Sequence, residues 1–450
     1  QGAVVPVLAG AAGQNCGIRR FMDTLVAIAP SPLDRPAVAS TNPETGQVQP
    51  ITADAAGPLA AFVFKSIADP YVGKLTYFRV MSGTLKSDAH VWNANHGKPE
   101  RVGQLLLVRG KHQEPAPLFV AGDIGAVAKL ADTGTNNTLS MHEHPVTLPP
   151  INFPDPIYRA AVFPKSKADL DKMSAGLNRL VEEDLTLTVS KDPDTAEMIL
   201  AGLGESHVEI AVEKLKRKFG VELTTAVPKV SYKETITMPA KAEYKHKKQT
   251  GGHGQYGHVF LALEPLPRGT GSEFAEKVVG GSVPKNYIPA VEKGVHTALH
   301  EGVLAHFPVV DIRVTLFDGS FHPVDSSDMA FQIAGSQAFK AGVQKAQPAL
   351  LEPVMSLSVF VPDKATGDTI SDLNTKRGKV LGMTPDDGTT IVEALVPLAE
   401  VLRYATDLRS ITQGRGTFKM EFSHYEEVPG HLAGKIIELS KKEREAEHKA

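Results

Sequence analysis

Between residues 157 and 228 the chain reads strand, helix, strand, strand, helix, strand, and that order sharply limits what it can fold into. IYRAAVFP (157–164) reads as a strand and gives way to the helical period of SKADLDKMSAGLNRLVEED (166–184). Two strands follow, LTLTVSKD (185–192) and AEMILAGLG (196–204), then a second helix, ESHVEIAVEKLKRKFG (205–220), and a closing strand in VELTTAVPKVSY (221–232). This β-α-β-β-α-β order is the split-βαβ, ferredoxin-like arrangement. It returns at 353–426, from PVMSLSVFVP through ATGDTISDLNTKRG, KVLGMTPDDG, TTIVEALVP and LAEVLRYATDLRSITQG to RGTFKMEFSHY, with no obvious sequence repeat between the two stretches.

The remaining segments read differently. From 58 to 148, short alternating stretches between turns fit an antiparallel β-barrel. LPPINFPDP (148–156) then breaks the chain. Residues 229–352 combine strands with helices around YIPAVEKGVHTALHEG and SDMAFQIAGSQAFKAGVQKA. Residues 4–32 read as a buried strand, a small-residue turn and an amphipathic helix, the last βα unit of an α/β domain. Residues 33–57, rich in Pro, Gly and Thr, read as a linker. In the tail, Leu432, Ile436, Ile437 and Leu439 form an apolar stripe that dissolves into KKEREAEHKA, expected to fray. At 450 residues this is a multidomain α+β chain, too long for one core.

Composition excludes several function classes. No apolar run reaches the ~18 residues of a membrane span, so no membrane partner is expected. Cys16 is the only cysteine, which removes disulfides and thiolate metal clusters and suggests a reducing, cytoplasmic setting. A net charge of -3 confines any nucleic-acid role to local patches. There is no G-x-x-x-x-G-K-[ST] loop and no G-x-S-x-G. The histidine of HVE at His207 lacks the P-C-x-x-C that zinc deaminase chemistry needs, and GLGESH (202–207) lacks the third glycine of a dinucleotide loop. HEH (142–144) reads as a solvated loop. No catalytic residues and no metal site are expected.

Binding features are stronger. In KHKKQTGGHGQYGHV (245–259), Lys245, Lys247 and Lys248 lie beside Gly251, Gly252, His253, Gly254, Gln255, Tyr256 and Gly257. Lysines at alternate strand positions point one way, and a glycine turn can bare its backbone N–H groups. Such a surface suits phosphates and 2′-hydroxyls, with Gln255 and Tyr256 bonding to or stacking on bases. An ordinary basic hairpin would look the same. In GSFHPVDSSDMAF, Asp325 or Ser326 is the natural cap of the following helix. His322 is not required by that cap. NTKRGKV (374–380) and TQGRG (412–416) add Arg377 and Arg415 in basic, glycine-flanked turns, which together suggest a face for RNA.

At these residues the chain resembles bacterial elongation factor G, the family of ribosomal translocases. FRVMSGTL (78–85) is similar to the family's second-domain barrel, and VEEDLTLTVSKDPDTAEMILAGLGESHVEIAVEKLKRKFGVE (181–222) to its third domain. KHKKQTGGHGQYGHV, GSFHPVDSSDMAF and LLEPVM are similar to the fourth, and GDTISDLNTKRGKVLGM and YATDLRSITQGRGTF to the fifth. The resemblance implies the C-terminal part, domains II to V, of a divergent paralogue. Its domains would be a GTPase-domain remnant (1–32), a linker (33–57), a domain II barrel (58–148) and a ferredoxin-like domain III (151–228). An S5-like domain IV (229–352 with 427–450) and a ferredoxin-like domain V (353–426) would complete it.

It further implies a monomer that binds the ribosome, through 16S and 23S rRNA and stalk-base proteins, and the tRNA–mRNA complex. The loop 251–257 and His322 would form a decoding-site tip. Lys245, Lys247 and Lys248 would face rRNA phosphates, and Arg377 and Arg415 would lie at the stalk base. A neutral His322 imidazole could donate and accept at once. Gly10, Ala11 and Ala12 would be a degenerate guanine contact, lacking the family's serine. No cofactor is expected on this chain, whereas its full-length parent, a ribosome-dependent GTPase, would use GTP and Mg²⁺ for tRNA–mRNA translocation. Ribosome recycling, tetracycline-type ribosome protection and a stand-alone RNA-binding scaffold are the alternatives.

Overall fold

The structure, a computed structural model, describes residues 4–69, 73–248 and 254–447. The chain forms two compact units, 1–156 with 163–189 and 209–224, and 157–162 with 190–208 and 225–450.

In the first unit, eight strands between Ala60 and Ser140 pair antiparallel into one sheet around Val63, Phe78, Leu85, Leu105 and Leu139, none of them accessible to solvent. The stretch expected to be a linker is instead a hairpin, Val38–Thr41 against Val48–Ile51. Its turn is fixed by Asn42, whose Oδ1 accepts the N–H groups of Glu44 (2.9 Å) and Thr45 (3.1 Å). Thr41 and Thr147 exchange backbone hydrogen bonds at 2.9 and 2.8 Å. The Pro/Gly/Thr content was that of an Asx-turn, not of a tether.

The opening segment departs from expectation too. Residues 4–10 form no strand, and Val5 and Val7 are 77% and 90% exposed. A strand of this kind needs neighbours, and none among the described residues pairs with it. The helix Ile18–Ile28 does form, with its apolar residues Phe21, Met22, Leu25 and Ile28 exposed.

The strands Tyr158–Pro164, Thr188–Lys191, Met198–Gly202 and Leu223–Ala226 bond in the order second, third, first, fourth, the ferredoxin-like order expected.

The site lies in the second unit, on strands β1 (Lys233–Ile236), β2 (Ala240–Lys248), β3 (Gln255–Pro265), β4 (Ser272–Glu276) and β5 (Ile312–Ser320). Helix α1 (Ile288–Glu301) precedes β5, and α2 (Asp328–Lys345) follows it. The sheet runs β2-β3-β5-β4, with β4 and β5 parallel across the α1 crossover. Every second residue of β3 and β5 (Val259, Leu261, Leu263; Val314, Leu316) faces Val291, Val295, Phe331 and Phe339 of the helices. The two helices nearly touch: a Cβ on Gly294 would lie 2.1 Å from the Gln332 carbonyl oxygen.

Strand β6 (Pro348–Pro362) pairs at its start with β1, the edge of a second, five-stranded sheet, and runs on through that sheet. There α3 (Thr366–Thr375), β7 (Lys379–Asp386), β8 (Thr389–Pro397), α4 (Tyr404–Thr412) and β9 (Thr417–Glu427) complete the second ferredoxin-like order, β9-β6-β8-β7. Finally α5 (Gly430–Glu447) lays Leu432, Ala433, Ile436 and Ile437 on Ala305 and Leu350. Among the described residues, to Glu447, the expected fraying is not seen. Ser440 Oγ donates to the Ala305 carbonyl at 2.5 Å and Glu443 pairs with Lys229 at 3.3 Å, holding the polar end of the helix.

Candidate nucleic-acid interface

The register of β2 and β3 sets Lys245 opposite His258, Lys247 opposite Tyr256 and Lys248 opposite Gln255. Strand alternation therefore places Lys245, Lys247, Tyr256 and His258 on one face, and Lys248 and Gln255 on the other. The three lysines do not form one cluster. Lys245 Nζ sits 5.4 Å above the Tyr256 ring, within cation–π range. The Tyr256 hydroxyl meets Ser320 Oγ at 2.8 Å, and the same oxygen meets His258 Nδ1 at 3.1 Å. Gln255 is tied on the far face, its Oε1 3.1 Å from His246 Nε2.

The 321–327 loop lies directly against this hairpin. The Tyr256 N–H donates to the Asp325 carbonyl at 2.8 Å, and the Gly254 N–H to Asp325 Oδ1 at 3.0 Å. Ser326 Oγ donates to the Tyr256 carbonyl (3.0 Å) and accepts the His322 N–H (2.9 Å), so one hydroxyl ties both loops. Neither Asp325 nor Ser326 caps the helix, as the sequence had suggested. Ser327 does, accepting the Ala330 N–H at 3.3 Å, which frees its two neighbours to hold the hairpin.

His322 ends up beside Tyr256, with ring centroids 6.2 Å apart and half of its side chain exposed. Its Nδ1 accepts the N–H groups of Asp325 (3.1 Å) and Val324 (3.3 Å). Asp325 Oδ2 also lies 3.3 Å from Nδ1, so this nitrogen is engaged within the loop in either tautomer. One ring nitrogen, Nε2, is therefore left for a partner, where the sequence suggested both would be. Phe321, Val324 and Met329 are exposed around it.

Two glycines of the motif have packing reasons. A Cβ on Gly257 would lie 2.7 Å from the Ala330 carbonyl, and one on Gly254 2.9 Å from the Asp325 carboxylate. Gly254 does not bare its N–H, which Asp325 already holds. Gly251, Gly252 and His253 lie outside the described residues. Gly257→Ala should push α2 off the hairpin and destabilise this module by about 1–3 kcal/mol. A denaturation midpoint equal to that of the parent chain would refute this reading of Gly257.

Comparison with known proteins places this geometry. Residues 228–347 match the family model for elongation factor G, domain IV. Residues 153–227 match its domain III, 58–142 its domain 2 and 349–436 its C-terminus. The chain belongs to the elongation factor G family. It is similar to a protein named Elongation factor G from Aquifex pyrophilus, 49% identical over 435 residues that cover 96% of this chain. It is also similar to a crystal structure of a Thermus thermophilus protein, 37% identical with a TM-score of 0.73 over 96% of this chain. The chain spans 62% of the length of each.

Membership in the elongation factor G family does not carry every residue the sequence nominated. Arg377 is engaged internally. Its Nη1 and Nη2 donate to Glu352 at 2.6 and 2.8 Å, and its Nε to Glu400 at 2.8 Å. Glu352, followed by Glu400, holds the guanidinium even further above its ordinary range. Three of its five N–H donors and its charge are thus committed to two carboxylates, so the geometry gives Arg377 an internal role rather than the free phosphate-binding fork the sequence suggested. Arg415 is exposed, in a turn that Gln413 and Gly414 make with positive φ. Gly10, Ala11 and Ala12 form an exposed turn closed by the Ala11–Cys16 backbone pair. The residues sequence reasoning missed are Ser320, Asp325 and Ser326. The only signal was a D-S-S-D run with more capping residues than one helix needs.

Proposed function

We propose that this chain is the ribosome-engaging part of a translocation factor, and that the joined loops of β2–β3 and 321–327 dock on RNA in the decoding region. The observation carrying this reading is the shared hydroxyl of Ser326, which fixes Tyr256 and His322 side by side before any partner arrives. A preformed tip spares the ordering entropy that flexible loops lose on binding. Lys245 and Lys247 neutralise phosphates beside it, while the His322 Nε2 and the Tyr256 ring meet sugar and base edges. The partners proposed are rRNA and the tRNA–mRNA complex.

GTP hydrolysis would be supplied by the parent protein. The turn at Gly10, Ala11 and Ala12 offers no side-chain donor or acceptor, so the residues present do not fit GTP or Mg²⁺, and no step is derived through either. The test is His322→Ala in the full-length factor. Single-round translocation should slow by about tenfold, the loss of one hydrogen bond made at the tip, with ribosome binding nearly unchanged. An unaltered rate would remove His322 from the mechanism.

A further inference from the structure

A cavity of about 760 Å³ opens between the 229–232 segment, the loop after α1 and the inner side of α5. Its volume suits a small molecule rather than a single ion. Its lining holds two cations, Lys229 and Arg444, and two carboxylates, Asp194 and Glu443, but they are not paired one to one. Lys229 is paired with Glu443 at 3.3 Å, and Asp194 with Lys233 at 3.7 Å. Arg444 lines the same cavity, half-buried, and no carboxylate among the described residues pairs with it. Two aromatic rings line it as well, Tyr232 and Phe307, with centroids 5.4 Å apart. His306 also lines it, held at φ 64, a backbone conformation that side-chain-bearing residues rarely adopt. Burial first, and then the Arg444 charge, keep its imidazole below the usual histidine range.

We propose that this cavity binds a planar anion of nucleotide size, its phosphate on Arg444 and its aromatic ring against Tyr232 and Phe307. A bare phosphate would leave the aromatic wall unused, and a neutral ring would leave the guanidinium unpaired. The site is independent of the tip and does not rest on the proposed function. A free mononucleotide and a single nucleotide of RNA share this chemistry.

The probe is AMP, titrated calorimetrically into the 450-residue chain, with adenosine and inorganic phosphate alongside. AMP should saturate one site and bind more tightly than either half. Arg444→Ala should weaken it about tenfold, the loss of one charge-assisted contact, and Arg444→Gln should do the same if the alanine variant is poorly folded. Lys441→Ala, on an exposed position of the same helix, should leave it unchanged. A short single-stranded RNA that displaces AMP would assign the site to RNA, and one that does not would assign it to a free nucleotide. The proposal is overturned by absence of saturation at about 10 mM AMP, by equal AMP affinity in the Arg444 variants, or by phosphate binding as tightly as AMP.

Discussion

Replacing Glu234 with glutamine should destabilise the β1–β5 module by about 3–5 kcal/mol, among the largest effects expected of a single substitution in this chain. The Glu234 side chain lies on β1 with no solvent exposure. Its carboxylate accepts four backbone N–H groups from the loop after α1: Val303, Leu304 and Ala305 at 2.7 Å and Phe307 at 3.1 Å. Its main chain grips the same loop, donating to the Pro308 carbonyl at 2.9 Å and accepting the Val310 N–H at 2.8 Å. A buried charge is tolerated here because four donors converge on it. An amide would turn an NH₂ group toward donors and strand two of them. Denaturant unfolding should show the lower midpoint, and hydrogen exchange should show lost protection at 303–307. Parent-like values for both would mean that the loop does not depend on the carboxylate.

The second large effect is at Arg377. Removing its guanidinium leaves Glu352, whose side chain is 4% exposed, buried without a counter-charge. Arg377→Ala should therefore destabilise the second ferredoxin-like module by about 3–5 kcal/mol. The double substitution Arg377→Met with Glu352→Leu should recover most of that loss, because it removes both charges and fills the space. If the single substitution is neutral, the fork on Glu352 contributes nothing to the fold. Its effect on ribosome binding should not exceed what the lost stability explains, since two carboxylates already offset the guanidinium charge.

Much of the architecture was legible because periodicity is local. The alternation of Val259, Leu261 and Leu263, and the order of strands and helices at 157–228 and 353–426, are written in neighbouring residues. Tyr256 and His322 were found for the same reason: each stands in a short motif that its own element does not require. What failed needed partners distant in sequence. Nothing around Arg377 announces Glu352, 25 positions earlier. Asp325, Ser326 and Ser327 are chemically equivalent caps, and only the position of Tyr256 and Gly254 decides which one is left for the helix. Asn42, Pro43 and Gly46 are the residues of a tether and of a tight hairpin alike. The exposed Val5 and Val7 show the same limit, for an apolar stretch becomes a strand only where another strand meets it.

The direct test of the tip is the salt dependence of ribosome binding by this chain, compared with the same chain carrying Lys245→Ala and Lys247→Ala. Two phosphate contacts release their counterions together, so losing both should flatten the slope of log K against log[salt] by about 1.5 and lower affinity most at low salt. A slope that does not change would show that this face of the hairpin meets no phosphate, and the docking assignment would fall with it.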